Sequence, residues 1–169
     1  MSNLYIRPLT LDDTNDIVRW RNSADVKSNL FSQAELTVEQ HTNYFKSNVE
    51  TGKCHQFIIV ADERSVGTAF LKNIDYLTKT AEFGIFIGES FARGRGYAAP
   101  VTEMIVDYGF DKLCLEKITL SVFADNLPAI KAYKKAGFVE EKIRKNAVAQ
   151  RCGSTDVLIM SITRDKWKA

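Results

Sequence analysis

Between His55 and Gly88 the chain is punctuated at hairpin spacing. "HQFIIVA" is a continuous apolar run with β-branched residues. "DER" after it suits a turn, and "SVGTAFLKNID" and "TAEFGIFIG" follow at once. Short runs separated by turn residues read as three strands of an antiparallel meander. A sheet of this kind buries a face, so other parts of the chain must cover it.

The cover is written on both sides of the meander. "LYIRPL", Leu4 to Leu9, reads as a first strand. "TLDDTNDIVRWRN" reads as a helix that Thr10 can cap, with Asp12 and Asp13 in the first turn, where the helix dipole favours acids. Thr37 and Gln40 fit a capping box that opens a second helix through "VEQHTNYFKSNV". Downstream, Val101, Met104, Ile105 and Tyr108 fall on one face of a helix. "EKITLSVF" is a strand. "NLPAIKAYKKAGF" is a short helix, with Pro128 in its first turn and Gly137 ending it. A further strand is expected from Phe138 to Ile143, and "TDVLIMSIT" closes the chain with a last one. The result is a mixed sheet carrying helices. With no repeat and no Pro/Ser-rich linker, residues 1–169 are expected to form one domain.

Charge and composition remove several function classes. A net charge of only +2 gives no case for a nucleic-acid binder driven by bulk charge. No apolar run approaches the roughly 20 residues that span a bilayer. "MSNLYIRPLT" lacks the basic-then-apolar layout of a secretion signal, so the expected setting is cytoplasmic, with no membrane and no nucleic acid as partner. Cys54, Cys114 and Cys152 are odd in number and far apart, and read as ordinary thiols, mostly core-filling. His41 and His55 show no metal spacing with each other or with a cysteine, so no metal is expected.

Positive charge and glycine concentrate at one junction, "GESFARGRGYAAP", Gly88 to Pro100. It lies between the last meander strand and the long helix. A helix start presents unpaired N–H groups and partial positive charge. Gly94 and Gly96 let the backbone bend and approach a ligand, and Arg93 and Arg95 add charge and forked donors. The plain alternative is a tight turn with solvated charge. The sharper one is a phosphate cradle using donors from about Gly94 to Ala99.

"RGRGYA", Arg93 to Ala98, resembles the Q/R-x-x-G-x-G/A pyrophosphate loop of the GNAT superfamily of acyl-CoA N-acyltransferases. "LSVFADNLPAIKAYKKAGF" resembles that superfamily's next motif, in the right order, and the opening "IRPLTLDD" and the meander match its layout. The resemblance implies an α+β (mixed α/β) GNAT fold. Its central sheet would be mixed, mostly antiparallel and twisted, with six to seven strands and about four flanking helices. It implies acetyl-CoA as acetyl donor. The pyrophosphate would lie on Arg93, Gly94, Arg95, Gly96, Tyr97 and Ala98, and the pantetheine arm along the strand that holds Phe86 and Ile87. An extended amide-bearing arm can use free strand groups like an added strand.

The same resemblance makes Asn126 a donor contact, beside its plain role as a helix N-cap. It makes Tyr133 the acid that protonates the departing CoA thiolate, against a core aromatic. It makes Glu82 the best-placed carboxylate for a base, against a solvated strand residue. In the first half, Trp20, Arg21, Asn22, His41 and Tyr44 form a dense aromatic and hydrogen-bonding set, with Phe31 and Phe45 nearby. Amphipathic packing accounts for such residues, but the WRN turn followed by the H-x-x-Y-F helix also resembles GNAT enzymes that acetylate amino-sugar nucleotides of pseudaminic-type pathways. The expected reaction is acetyl transfer to a primary amine, with a nucleotide-linked amino sugar as acceptor and a homodimer as candidate assembly. The alternatives are acetylation of a protein N-terminus or a polyamine, or a CoA-binding module without turnover.

Overall fold

The structure is a computed structural model that describes residues 3–149 and 153–167. The meander forms as expected: β2 (His55–Ala61), β3 (Arg64–Asp75) and β4 (Thr80–Ile87) pair antiparallel in sequence. β1 (Leu4–Pro8) pairs antiparallel with β2 on the outer side. The C-terminal strands are β5 (Lys117–Phe123), β6 (Val139–Arg144) and β7 (Val157–Thr163). Among the described residues they complete a seven-stranded sheet in the order β1-β2-β3-β4-β5-β7-β6, in which only the β4–β5 pair is parallel.

Among the described residues, five α-helices accompany the sheet: α1 (Thr14–Asn22), α2 (Ala24–Lys27), α3 (Val38–Tyr44), α4 (Ala98–Asp111) and α5 (Leu127–Lys135). The fifth beyond the expected four is α2. It is a single turn capped by Ser23, whose hydroxyl accepts from the Val26 N–H, and it is too short to carry a periodic pattern. The capping box at Thr37 and Gln40 is present. The helix it opens does not stay regular, because its last turn, Phe45–Val49, is wound as a π-helix.

The two faces of the sheet are covered by different parts of the chain. On one face α4 lays Val101, Ile105, Val106 and Phe110 against Ala69, Leu71, Ala81 and Phe83, all buried. Each such side chain contributes about 1.5–3 kcal/mol on removal from water. The buried stripe of α4 is slightly rotated from the expected one: Met104 and Tyr108 lie half-buried at its margin. On the other face Ile17 and Trp20 of α1 pack on Ile58 and Val60 of β2. Cys54 is buried, as a core-filling thiol should be, but Cys114 is exposed. It sits at φ +54° in the turn between α4 and β5, where the chain reverses at the surface. Cys152 lies outside the described residues.

Candidate functional site

The parallel pair is where the sheet comes apart. β4 and β5 are in register only at Thr80–Lys117, Ala81–Ile118 and Glu82–Thr119. Beyond Glu82, β4 runs on to Ile87 still paired with β3, and β5 runs on to Phe123 still paired with β7. The two strands therefore diverge and leave facing edges that neither strand covers for the other, which an extended arm can use. Phe86 and Ile87 lie on the β4 edge of this wedge.

Tyr133 stands over the start of the divergence. Its ring meets Phe83 edge-on at 6.0 Å between centroids and Phe138 at 6.2 Å. It is only 8% exposed, and burial pushes its phenol up to about 12. The hydroxyl therefore keeps its proton at neutral pH and is available as a donor. Glu82 is the last β4 residue in register with β5. Its carboxylate accepts a hydrogen bond from Asn73 Nδ2 at 3.0 Å and lies 3.9 Å from Lys72 Nζ. Tyr133 and Glu82 thus come from opposite sides of one opening.

At the far end of β4 the chain makes a short 3-10 turn, Ser90–Ala92, and then the glycine turn. Gly94 and Gly96 adopt φ +71° and +78°, the left-handed region that favours glycine. Both are exposed, and a Cβ at either would meet nothing within 4 Å. Among the described residues, the N–H groups of Gly94, Arg95 and Gly96 donate to no backbone carbonyl. Tyr97 and Ala98 follow as N-cap and first residue of α4. The junction thus has the exposed donors and open backbone of an anion cradle. Both arginine side chains also have partners within the chain. Arg93 turns its guanidinium back to the Ile87 and Gly88 carbonyls at 3.1 and 2.9 Å and to Asp25 of α2 at 2.7 Å. Its side chain braces the turn. Arg95 Nε donates to the Phe91 carbonyl at 2.8 Å. Asn126 acts as the N-cap of α5, accepting from the Ala129 N–H, and its amide reaches Asn29 at 3.5 Å.

The fold divides the set expected to meet the acceptor. Trp20 is 1% exposed, and its indole N–H donates to Glu89 at 2.9 Å. His41 is 4% exposed, with Nδ1 against Thr14 Oγ1 at 3.0 Å. Both are packed inside, where an acceptor does not reach. Asn22 uses both ends of its amide on the Leu36 backbone, at 2.8 Å each, and so fixes the approach to α3. Arg21 and Tyr44 remain open to another role. The guanidinium of Arg21 has no hydrogen-bond or ion-pair partner among the described residues, its Nε is buried, and burial holds its pKa below the usual arginine value. Tyr44 lines a cleft of about 680 Å³ with Asn48, Lys53, Cys54, Lys72, Asn73 and Tyr76. Burial and a hydrogen bond with Cys54 push its phenol up. Sequence reasoning missed Lys53, Lys72 and Tyr76. Lys72 and Glu82 carried a signal, since meander residues at that spacing become cross-strand neighbours.

Among the described residues, no group of His, Cys, Asp or Glu is arranged to hold a metal ion, and no helix is long and apolar enough to cross a membrane. Residues 3–139 match the acetyltransferase (GNAT) domain family. The chain is 28% identical over 141 residues to spermidine N(1)-acetyltransferase of Vibrio cholerae, covering 83% of this chain and 81% of that protein. It is 28% identical over 123 residues to acetyltransferase PseH of Campylobacter jejuni, covering 72% and 74%. A crystal structure of the V. cholerae spermidine acetyltransferase in complex with CoA and spermine superposes with a TM-score of 0.90 at 27% identity, covering 98% of both chains. That protein has also been seen as a dodecamer. The parted strands, the glycine turn at a helix start and the match along most of the chain agree: this chain belongs to the GNAT acetyltransferase family and is an N-acetyltransferase that uses acetyl-CoA.

Proposed function

We propose that the chain acetylates the primary amine of a nucleotide-linked amino sugar, by direct attack of the amine on the acetyl-CoA thioester. The pyrophosphate sits on the N–H groups from Gly94 to Ala98, and the pantetheine arm runs along the free edge of β4 past Phe86 and Ile87. Asn126, at the opposite lip, is the contact from α5. The amine gives up its proton to Glu82, directly or through water, and its nitrogen bonds to the acetyl carbon. The carbon–sulfur bond breaks, and Tyr133 donates its proton to the departing thiolate. No covalent intermediate on the protein is needed.

The observation that carries the acceptor class is the charge of the cleft beside Glu82. Its lining includes Lys53 and Lys72, two tyrosines and two asparagines, and the Glu82 carboxylate at its edge is offset by Lys72 Nζ at 3.9 Å. Near Tyr44 stands the guanidinium of Arg21, unpaired among the described residues. A polycation entering here would meet like charge, whereas a diphosphate would meet two ammonium groups and a forked donor. The relatives named for spermidine favour a second reading, a polyamine acceptor. A cytoplasmic setting and self-association into a homodimer belong to the same proposal. The dodecamer of the V. cholerae enzyme supports self-association, without singling out a dimer.

Competition among an amino-sugar nucleotide, spermidine and a short peptide tests this directly. The sugar nucleotide should lead in kcat/KM, and Arg21→Ala should lower that value for the sugar nucleotide alone. A clear preference for spermidine, unaffected by Arg21→Ala, overturns the acceptor and leaves the acetyl transfer in place.

A further inference from the structure

We propose that Glu89 is a positioning residue for acetyl-CoA. It does not touch the donor. It holds the segment leading into the glycine turn against α1, and so sets where the N–H groups of that turn point. The inference rests on the reading that Gly94 to Ala98 receives the pyrophosphate.

Glu89 lies two residues beyond the end of β4. One carboxylate oxygen accepts two hydrogen bonds from α1: the Trp20 indole N–H at 2.9 Å and an Arg19 guanidinium N–H. Trp20 is packed against the neighbouring glycine, since a Cβ on Gly88 would lie 2.1 Å from its Cγ. From the other side, the N–H groups of Gly88 and Glu89 both donate to the Val66 carbonyl of β3, at 2.8 and 3.1 Å. The start of the loop is therefore gripped between a strand backbone and a buried indole. Its far end is tied in the same direction, because Arg93 joins the Ile87 and Gly88 carbonyls to Asp25 of α2.

The physical consequence concerns geometry more than stability. A buried indole N–H needs an acceptor, and a carboxylate is a strong one. Without it, the indole is orphaned and Gly88 loses the surface that fixes it. The N–H groups at Gly94 to Gly96 have no backbone partners to restore their aim. Hydrogen bonds to an anion weaken steeply with misalignment, and small displacements are costly where several donors must converge.

The test uses the full chain and acetyl-CoA alone, so the acceptor need not be known. Dissociation constants and Tm are measured for Glu89→Ala, Glu89→Gln, Trp20→Phe and the Glu89→Ala/Trp20→Phe double variant, with Gly96→Asn as a check on the turn itself. Glu89→Ala should weaken acetyl-CoA about tenfold, and Glu89→Gln, which keeps an oxygen for the indole, only about two- to threefold. The double variant should lose less than the sum of the two single losses, because the Glu89–Trp20 contact is removed by both changes. A lower Tm with unchanged affinity in Glu89→Ala, or additive losses in the double variant, overturns the proposal. Should Glu89→Ala not fold, wild-type affinity in both Glu89→Gln and Trp20→Phe does the same. If Gly96→Asn leaves affinity unchanged, the reading of the turn fails; if it weakens binding while the Glu89 variants do not, only the role of Glu89 fails.

Discussion

Replacing Gly96 separates two jobs that glycine does in the turn. At φ +78°, an L-residue pays about 1–2 kcal/mol for the left-handed conformation. In a chain of this size that lowers Tm by about 2–8 °C. No clash adds to it, because a Cβ there meets nothing within 4 Å. In the proposed complex, however, that open space belongs to the pyrophosphate. Loss of one charge-assisted N–H contact costs about 1.5–3 kcal/mol, or roughly 10–100-fold in affinity. Three variants divide the terms. Gly96→Ala carries both costs. Gly96→Asn carries less strain, since Asn tolerates this region, but it keeps the Cβ. Gly52→Ala is the control: Gly52 has φ +79° with nothing within 4 Å of its Cβ position, but lies away from the turn. Thermal unfolding and calorimetric titration with acetyl-CoA read the two effects. Gly52→Ala should lose stability and keep donor affinity, and Gly96→Asn should do the reverse. Equal acetyl-CoA affinity in Gly96→Asn, Gly52→Ala and wild type would refute the reasoning.

Tyr133→Phe should lower kcat by about 10²–10⁴-fold with little change in KM for acetyl-CoA, measured where chemistry limits turnover. With the phenol pushed up to about 12, kcat of the wild type should show no alkaline limb from Tyr133 below about pH 11. Glu82→Gln should lower kcat at least about tenfold at neutral pH, while Tm stays nearly constant because its contact with Lys72 is partly exposed. Burial first, and the nearby Arg21 charge second, hold the His41 pKa below its usual 6.5. The unfolded chain therefore binds more protons than the folded one. Stability present in full above about pH 6.5 falls as pH drops through the lower folded value, so Tm measured from pH 7.5 to 5 should decline less steeply in His41→Gln.

The strands, the capping box and the glycine turn were legible because each is written locally, in short apolar runs between turn residues, in an S/T-x-x-E/Q spacing and in a pair of glycines. What lies across the chain was not. Trp20 and His41 have the chemistry of ligand-binding groups, but Trp20 shares a helix face with Ile17, and that face goes to the core. The spacing of Ile17 and Trp20 was the available signal. The partners of Trp20 and Arg93 lie 69 and 68 positions away in the sequence, Glu89 beyond the meander and Asp25 before it, and no local pattern announces either contact. The Asp25 partner of Arg93 was hidden for the same reason: it exists only once α2 is folded beside the end of β4.

The parting of β4 from β5 also divides the chain in order. Strands β1 to β4 use residues 4–87, and β5 to β7 use residues 117–163, so the backbone crosses the seam once, through α4. One lip of the opening is wholly N-terminal and the other wholly C-terminal, stitched by three residue pairs. Glu82 belongs to the first lip and Tyr133 to the second. The distance between the proposed proton acceptor and the proposed proton donor is therefore set by the seam rather than by either half alone. A molecule lying in the opening and bonded to both lips acts as a further row of stitches, closing with its own amides a sheet that the polypeptide leaves unfinished.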